Sequence, residues 1–427
     1  MISQLTIILT FLTNSIFECT EVDILKKNSI TEKKLNFYED FEIVKKRSIC
    51  IKKCNNWPQP IPYNIGSWLN ANAIKKAINL ISTSTCITFS EAPSRPLGNY
   101  GISFIYDKSK CASNLGFKRT NNFLKVYLTP ECSGSIGTVQ HEVSHALKVI
   151  HQHNRFDRNY YINIHLNNFS DENYKKRANE IKRNEFSTFN VSYDYASVMH
   201  YGRKAAAKEN TNTFTAKNIE PYTYMMGQRE EMTFNDVKLL NLNYCLERCK
   251  NSQVQCQNGA YLNWKTCADC ICPKRYSGTF CDTVTPLEGT CSNVNLIATQ
   301  RQTELKENGV KDCNYRIKNH DNYKIYIQID FVNTKSADIC TQGSGFEIKY
   351  LQDKGTTGLC LCGQYKNLLI ISENSHVYIE YHGKENGNGF RLHYSRAIPD
   401  AYPYPTICHN EKCFEKRDEY YLPRTEN

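Results

Sequence analysis

Twenty cysteines in 427 residues constrain this chain more than any other feature. Six of them, Cys249, Cys256, Cys267, Cys270, Cys272 and Cys281, crowd into one short segment. A piece that small buries too little apolar surface to hold itself together, so the spacing predicts a module stapled by disulfides. Clustered cysteines in this number also point to an oxidising compartment. The N-terminus agrees. Leu5 to Phe17 is an apolar run of signal-peptide length, too short to cross a bilayer, with cleavage expected between Ser15 and Cys19. We read residues 1–19 as a signal peptide and the protein as secreted. Asn168-Phe169-Ser170 and Asn190-Val191-Ser192 fit the N-glycosylation rule.

The length predicts more than one core, and the composition changes along the chain in step with that. Lys and Arg number 53 against 43 Asp and Glu, a formal charge of +10. There is no Arg-rich stripe and no basic helix, which argues against a nucleic-acid partner. Residues 20–47 are polar and charged and end in Lys45-Lys46-Arg47, as a pro-segment cut after Arg47 would. Residues 48–246 show helical spacing at Ala73 to Ile81, strand alternation at Leu124 to Leu128 and a closing helix at Asp236 to Tyr244. The disulfide module covers 247–282. Residues 291–397 alternate as sandwich strands do, at Tyr323 to Ile329 and His376 to Tyr381. The tail, 398–427, is polar and rich in Pro and Tyr, and Cys408 and Cys413 in it are placed to close a small loop.

The chemistry lies in His141-Glu142-Val143-Ser144-His145 and, six residues on, His151. On a helix His141 and His145 share a face and can hold one Zn²⁺, with Glu142 beside them as general base. His151 reaches the same metal only if the helix ends near Lys148 and the chain turns back. Three protein ligands leave a fourth position for water, the pattern of a catalytic zinc site. His153 and His200 are read as structural.

The stretch His141 to Arg158, with Ser197-Val198-Met199-His200-Tyr201, closely resembles the zinc signature and Met-turn of the astacin metalloendopeptidases, a metzincin family. Trp57 with Ile61-Pro62-Tyr63, and Gly227-Gln228-Arg229, match it too. The resemblance implies an α+β fold: a two-lobed catalytic domain with a mixed twisted sheet and active-site helix above an irregular lower lobe. It implies His141, His145 and His151 as ligands of one zinc, and Met199 as support beneath the metal. Glu142 would take a proton from the water and pass it to the leaving amine, and Tyr201 would stabilise the oxyanion. It also implies disulfides Cys86–Cys245 and Cys111–Cys132. The six-cysteine module resembles an EGF-like domain, whose usual order pairs Cys249–Cys267, Cys256–Cys270 and Cys272–Cys281. Residues 291–397 resemble a CUB domain, with Cys291–Cys313 and with Cys340 bonded to Cys360 or Cys362. Cys50–Cys54 is a plausible local pair. Phe37-Tyr38-Glu39-Asp40 is similar to the motif by which astacin pro-segments place an Asp on zinc, making Asp40 the candidate off-switch. The family's Gly at the turn towards the third His is here Lys148, and its Glu after that His is Gln152.

The expected function is therefore a zymogen-derived, secreted zinc endopeptidase acting on extracellular proteins or peptides, with a possible protein partner on the CUB-like module. The rival reading is a catalytically weakened relative that serves as an extracellular binding module. A disulfide-rich matrix protein would explain the cysteines but not the histidines.

Overall fold

The computed structural model describes residues 47–51, 55–92, 100–117, 123–179, 186–285, 291, 295–397, 406–409, 412–417 and 420–423. The expected signal peptide, most of the pro-segment with Asp40, and Cys54 lie outside the described residues.

The first half of the chain runs β1 (Arg47–Cys50), β2 (Ile61–Ile65), α1 (Ala71–Ser84), β3 (Phe89–Glu91), β4 (Ile102–Tyr106), β5 (Ala112–Ser113), β6 (Leu124–Leu128), α2 (Pro130–Gly134), α3 (Ile136–Ala146), β7 (Ile162–Ile164), α4 (Glu172–Asn179), β8 (Phe186–Thr188), β9 (Phe214–Ala216) and α5 (Phe234–Tyr244). Five of the strands make one mixed sheet in the order β3-β2-β4-β6-β5. The first four are mutually parallel, and β5 closes the edge antiparallel to β6. Ile61, Ile102, Phe104, Leu124, Val126 and Leu128 are buried on this sheet, together with Ile74, Ala77, Ile78 and Ile81 of α1. Those α1 residues recur at three and four positions, which makes one apolar stripe. Asn70 caps the helix by accepting the Ala73 N–H at 3.1 Å. It stops where Ser84 and Thr85 turn their hydroxyls back onto the carbonyls of Leu80 and Ile81. After α3 the chain is mostly turns, with β1 paired to β8 and β7 to β9.

Cys249–Cys267, Cys256–Cys270 and Cys272–Cys281 are all formed, in the expected order. They brace two small hairpins, β10 (Tyr261–Leu262) with β11 (Cys270–Ile271) and β12 (Tyr276–Ser277) with β13 (Thr283–Val284). Cys86–Cys245 and Cys111–Cys132 are formed as well. Cys50 is disulfide-bonded.

The sandwich contains β14 (Asn295–Ile297), β15 (Thr303–Asn308), β16 (Asp312–Lys318), β17 (Ile325–Asn333), β18 (Gly345–Lys349), β19 (Leu359–Leu361), β20 (Gln364–Ile371), β21 (His376–His382) and β22 (Gly389–Arg396). One sheet has the order β14-β16-β21-β18-β19 and the other β15-β22-β17-β20. Cys291–Cys313 is present, and Cys340 is bonded to Cys362. That leaves Cys360 as a free, buried thiol, which resolves the alternative left open by spacing. The described parts of the tail are strands, which its composition does not suggest. β23 (Thr406–His409), β24 (Lys412–Arg417) and β25 (Tyr420–Pro423) form an antiparallel meander that places Cys408 opposite Cys413. Thr, Ile, Phe and Tyr favour pleated backbone there over a polar coil.

The sandwich shares its core with the lower half of the first domain. Tyr195, Tyr222, Met225 and Met226 belong to the same buried cluster as Phe346, Leu359 and Leu361. Polar contacts rim this joint. Arg203 bonds the side chain and carbonyl of Asp338, the Cys340 N–H donates to the Tyr224 carbonyl at 2.8 Å, and the Tyr222 and Tyr350 hydroxyls meet at 3.1 Å.

Candidate metal centre

α3 presents the first two imidazoles. Ser135 caps it by accepting the Thr138 N–H at 3.2 Å. The helix is buried along nearly all its length, and Gly137 lets it approach the 229 backbone, where a Cβ would meet the Arg229 carbonyl carbon at 2.3 Å. The helix ends at Ala146, short of Lys148, as the geometry required. The Lys148 N–H donates to the His145 carbonyl and the Val149 N–H to the Ser144 carbonyl, both at 2.9 Å. Those two bonds define a Schellman turn with Lys148 at its left-handed position, φ 76°. The turn is heavily buttressed. The carbonyls of Ala146, Leu147 and Lys148 accept bonds from Trp57 Nε1, the Tyr244 hydroxyl and the Cys50 N–H. Lys148 Nζ bonds Asn56 Oδ1 at 2.6 Å and lies over the Tyr244 ring.

The turn brings His151 back. One ligand nitrogen from each of His141, His145 and His151 lies within 4.8 Å of the others, and the Nε2 atoms of His145 and His151 are 3.1 Å apart. Two nitrogens bound to one tetrahedral zinc at about 2.0–2.1 Å would be separated by about 3.3 Å. The outer nitrogens are spoken for: His141 Nδ1 bonds the Val198 carbonyl at 2.7 Å and His145 Nδ1 the Val149 carbonyl at 2.8 Å. Assigning Nδ1 as the donor in each leaves an Nε2 lone pair facing inward. Burial first, then neighbouring positive charge, holds His141 and His151 well below the ordinary imidazole range, and burial takes His145 down to about 4. All three imidazoles are neutral at physiological pH, the form that can bind a metal. Glu142 is 5 % exposed, and its Oε2 is buried with no hydrogen-bond partner. Burial pushes its carboxyl up to about 8 against the opposing charge of Arg229. A lone buried carboxyl oxygen beside three converging neutral imidazoles fits zinc and its water.

The Met-turn packs alongside. Its Val198 carbonyl orients His141, and the Met199 carbonyl accepts the Gln152 N–H at 2.9 Å. Met199 is 1 % exposed in the upper core. The Tyr201 ring lies 4.5 Å from His151 and 4.0 Å from His153. Burial, and then Tyr174, push its hydroxyl up to about 12, so it stays a neutral donor. His200 is locked by the Tyr193 hydroxyl and the Tyr201 carbonyl. His153 is fully buried and stacks on His151, with both ring nitrogens unbonded. Gln152 is buried, and Arg47 opens β1 opposite Thr188. Asn190 is exposed, whereas the Asn168 amide donates to the Asn212 carbonyl at 2.7 Å.

A peptidase-family profile described as Astacin matches residues 50–245. Residues 50–245 belong to the astacin family. The chain is 31% identical over 354 residues to the zinc metalloproteinase nas-34 of Caenorhabditis elegans, covering 82% of this chain and 57% of that protein. It is 32% identical over 356 residues to nas-37 of the same worm, covering 81% of this chain and 44% of that protein. The chain thus spans about half the length of these relatives. A solved hatching-enzyme zinc protease of the medaka Oryzias latipes is 27% identical over 46% of this chain and 98% of its own, with a TM-score of 0.39.

Three residues of this astacin-family domain that matter to the site carried no predicted role. Arg229 Nη1 donates to the carbonyls of His200 and Gln228, and its charge acts on Glu142 and Tyr201. Asp236 accepts the Ser197 hydroxyl at 2.5 Å and the Val198 N–H at 2.9 Å. Asp194 accepts the Ala196 N–H at 3.0 Å. The signal for both acids was an Asp placed in or near an otherwise apolar helix or turn, where burial demands a partner.

Proposed function

We propose that this chain is a secreted zinc endopeptidase, made as a zymogen, that cuts extracellular proteins or peptides. The observation that carries the reading is the convergence of three neutral imidazoles beside Glu142, whose buried Oε2 has no hydrogen-bond partner. His141, His145 and His151 would hold the ion. When bound, zinc supplies Lewis acidity and brings the pKa of a water towards neutrality. Glu142 would take a proton from water and return it to the leaving amine: burial raises its proton affinity, and the charge of a bound ion would draw it back towards the ionised form that a base needs. Tyr201 would donate its neutral hydroxyl to the carbonyl oxygen of the scissile bond as that oxygen gains charge. Met199 would serve as the floor of the site. β5 is the edge strand of its sheet, and an extended substrate would add to its free side.

The remaining parts follow the sequence reading: signal peptide 1–19, pro-segment 20–47 with Asp40 as its zinc switch, peptidase 48–246, EGF-like module 247–282, CUB-like sandwich 291–397 and tail. Cutting after Arg47 would release the activity. The test is Glu142→Gln in Arg47-processed protein. Casein cleavage falls at least about 100-fold, the low end of general acid–base contributions, while one zinc per chain is retained. A variant that cuts casein at the parent rate overturns the mechanism.

A further inference from the structure

The Met-turn is gripped from two directions. Within its own domain, Asp236 holds Ser197 and Val198 while closing the capping box of α5 with Thr233. The second grip comes from the sandwich, 163 residues away in sequence. The Thr357 N–H and hydroxyl both donate to Asp194 Oδ2, at 3.2 and 3.0 Å. Asp194 is 1 % exposed and Thr357 2 %. The other oxygen of Asp194 takes the Ala196 N–H, and its carbonyl takes the Ser197 N–H. From Ser197 the turn passes to Val198, whose carbonyl fixes His141 Nδ1.

The loop that delivers Thr357 is built to stay in place. Lys349 Nζ donates to the carbonyls of Lys354 and Thr356. Lys354 is 1 % exposed, and its ammonium is caged by the Leu351 and His376 carbonyls and the Asn374 side chain. Next to Thr357, Thr356 accepts a bond from Asn235, the neighbour of Asp236. The two threonines therefore reach both stretches of chain that bear the grip on the Met-turn.

We propose that the 353–358 loop of the sandwich is a working part of the metal centre, with Thr357 a positioning residue that acts through Asp194 and the Met-turn on His141. This inference rests on the zinc reading above. An outer partner of a metal-ligating histidine typically changes metal affinity about 10–100-fold when removed. Thr357 stands further out than that, so the lower part of the range applies.

The test uses the full processed chain and measures zinc affinity by competition with a chromophoric chelator, alongside kcat and KM on one peptide. Thr357→Val weakens zinc binding about 10-fold and lowers kcat with KM within about twofold, and Thr357→Ser restores both. Asp338→Ala, which removes the side-chain half of the Arg203 contact at the far side of the same joint, lowers the melting temperature but leaves zinc affinity at the parent value. If Thr357→Val does not fold, Thr357→Ala against Thr357→Ser isolates the same hydroxyl. A valine or alanine variant that binds zinc as tightly as the parent overturns this proposal alone. A parent chain that binds no zinc overturns the zinc reading and this proposal with it. A parent that binds zinc without cleaving peptides overturns the peptidase reading while the affinity comparison still decides the role of Thr357.

Discussion

Lys148 carries a side chain through a left-handed turn where its family uses glycine, at a cost of about 1–2 kcal/mol for an L-residue. The Nζ bond to Asn56 returns about 1 kcal/mol of that. Lys148→Gly relieves the strain but loses the bond and adds freedom to the unfolded chain, so its unfolding free energy stays within about 1 kcal/mol of the parent. Lys148→Val loses the bond and forces a β-branched residue into the same φ, lowering stability by about 2 kcal/mol or more in urea titrations. A valine variant as stable as the parent would mean that the turn relaxes to negative φ. The same contrast of local geometry separates the two glycosylation sequons. Asn190 stands exposed, while the Asn168 amide is committed to a backbone carbonyl. Glycopeptide mass spectrometry is expected to find sugar at Asn190 and none at Asn168. The convergence of His141, His145 and His151 was legible in the sequence because two share one helix face and the third follows just past the turn that ends it. The groups that steady them were not, because Ser197 and Asp236 are 39 positions apart and Asp194 and Thr357 163.

Strand β21 and the disulfide module meet through Glu380. This carboxylate is 6 % exposed and takes Lys274 at 2.6 Å and Arg275 at 3.0 Å, while His382 lies 3.5 Å away. Burial pushes its pKa up, but the bonds from His382 and Lys274 outweigh it and hold Glu380 well below the usual carboxylate range. Because the folded value lies below the unfolded one, the stabilisation is present above about pH 4.5 and is lost as pH falls below it. Calorimetry between pH 7 and 3 should therefore show a melting temperature that drops on acidification. Glu380→Gln should cost about 2 kcal/mol at neutral pH, discounted for the half-exposed Lys274, and should flatten part of that acid slope. An unchanged slope in the variant would assign the acid sensitivity elsewhere. Helix α1 and strand β6 were legible because their apolar periods are unambiguous. The tail strands β23 to β25 were not, since four- to six-residue runs broken by Pro and charge carry no period long enough to read.

At the scale of the whole molecule, the decisive feature is one apolar core continuous between the astacin-family domain and the sandwich. Sequence blocks were separable by composition, but nothing in composition tells whether two blocks share a core or hang from a linker. Cys360 offers a native reporter, since it is free, fully buried, and donates its N–H to Met225 Sδ at 3.3 Å across the joint. The three tryptophans, Trp57, Trp68 and Trp264, all lie outside the sandwich. Denaturant titrations read by tryptophan fluorescence and by mass-mapped alkylation of Cys360 are expected to give one midpoint. Alkylation at lower denaturant would mean that the sandwich undocks by itself. A joint of this kind also limits exchange of parts. A chimera that joins an unrelated sandwich between residues 245 and 291 would leave Tyr222, Met225 and Met226 without their facing residues. The sandwich is therefore no interchangeable bead: a foreign one would have to bring its own match to that apolar seam.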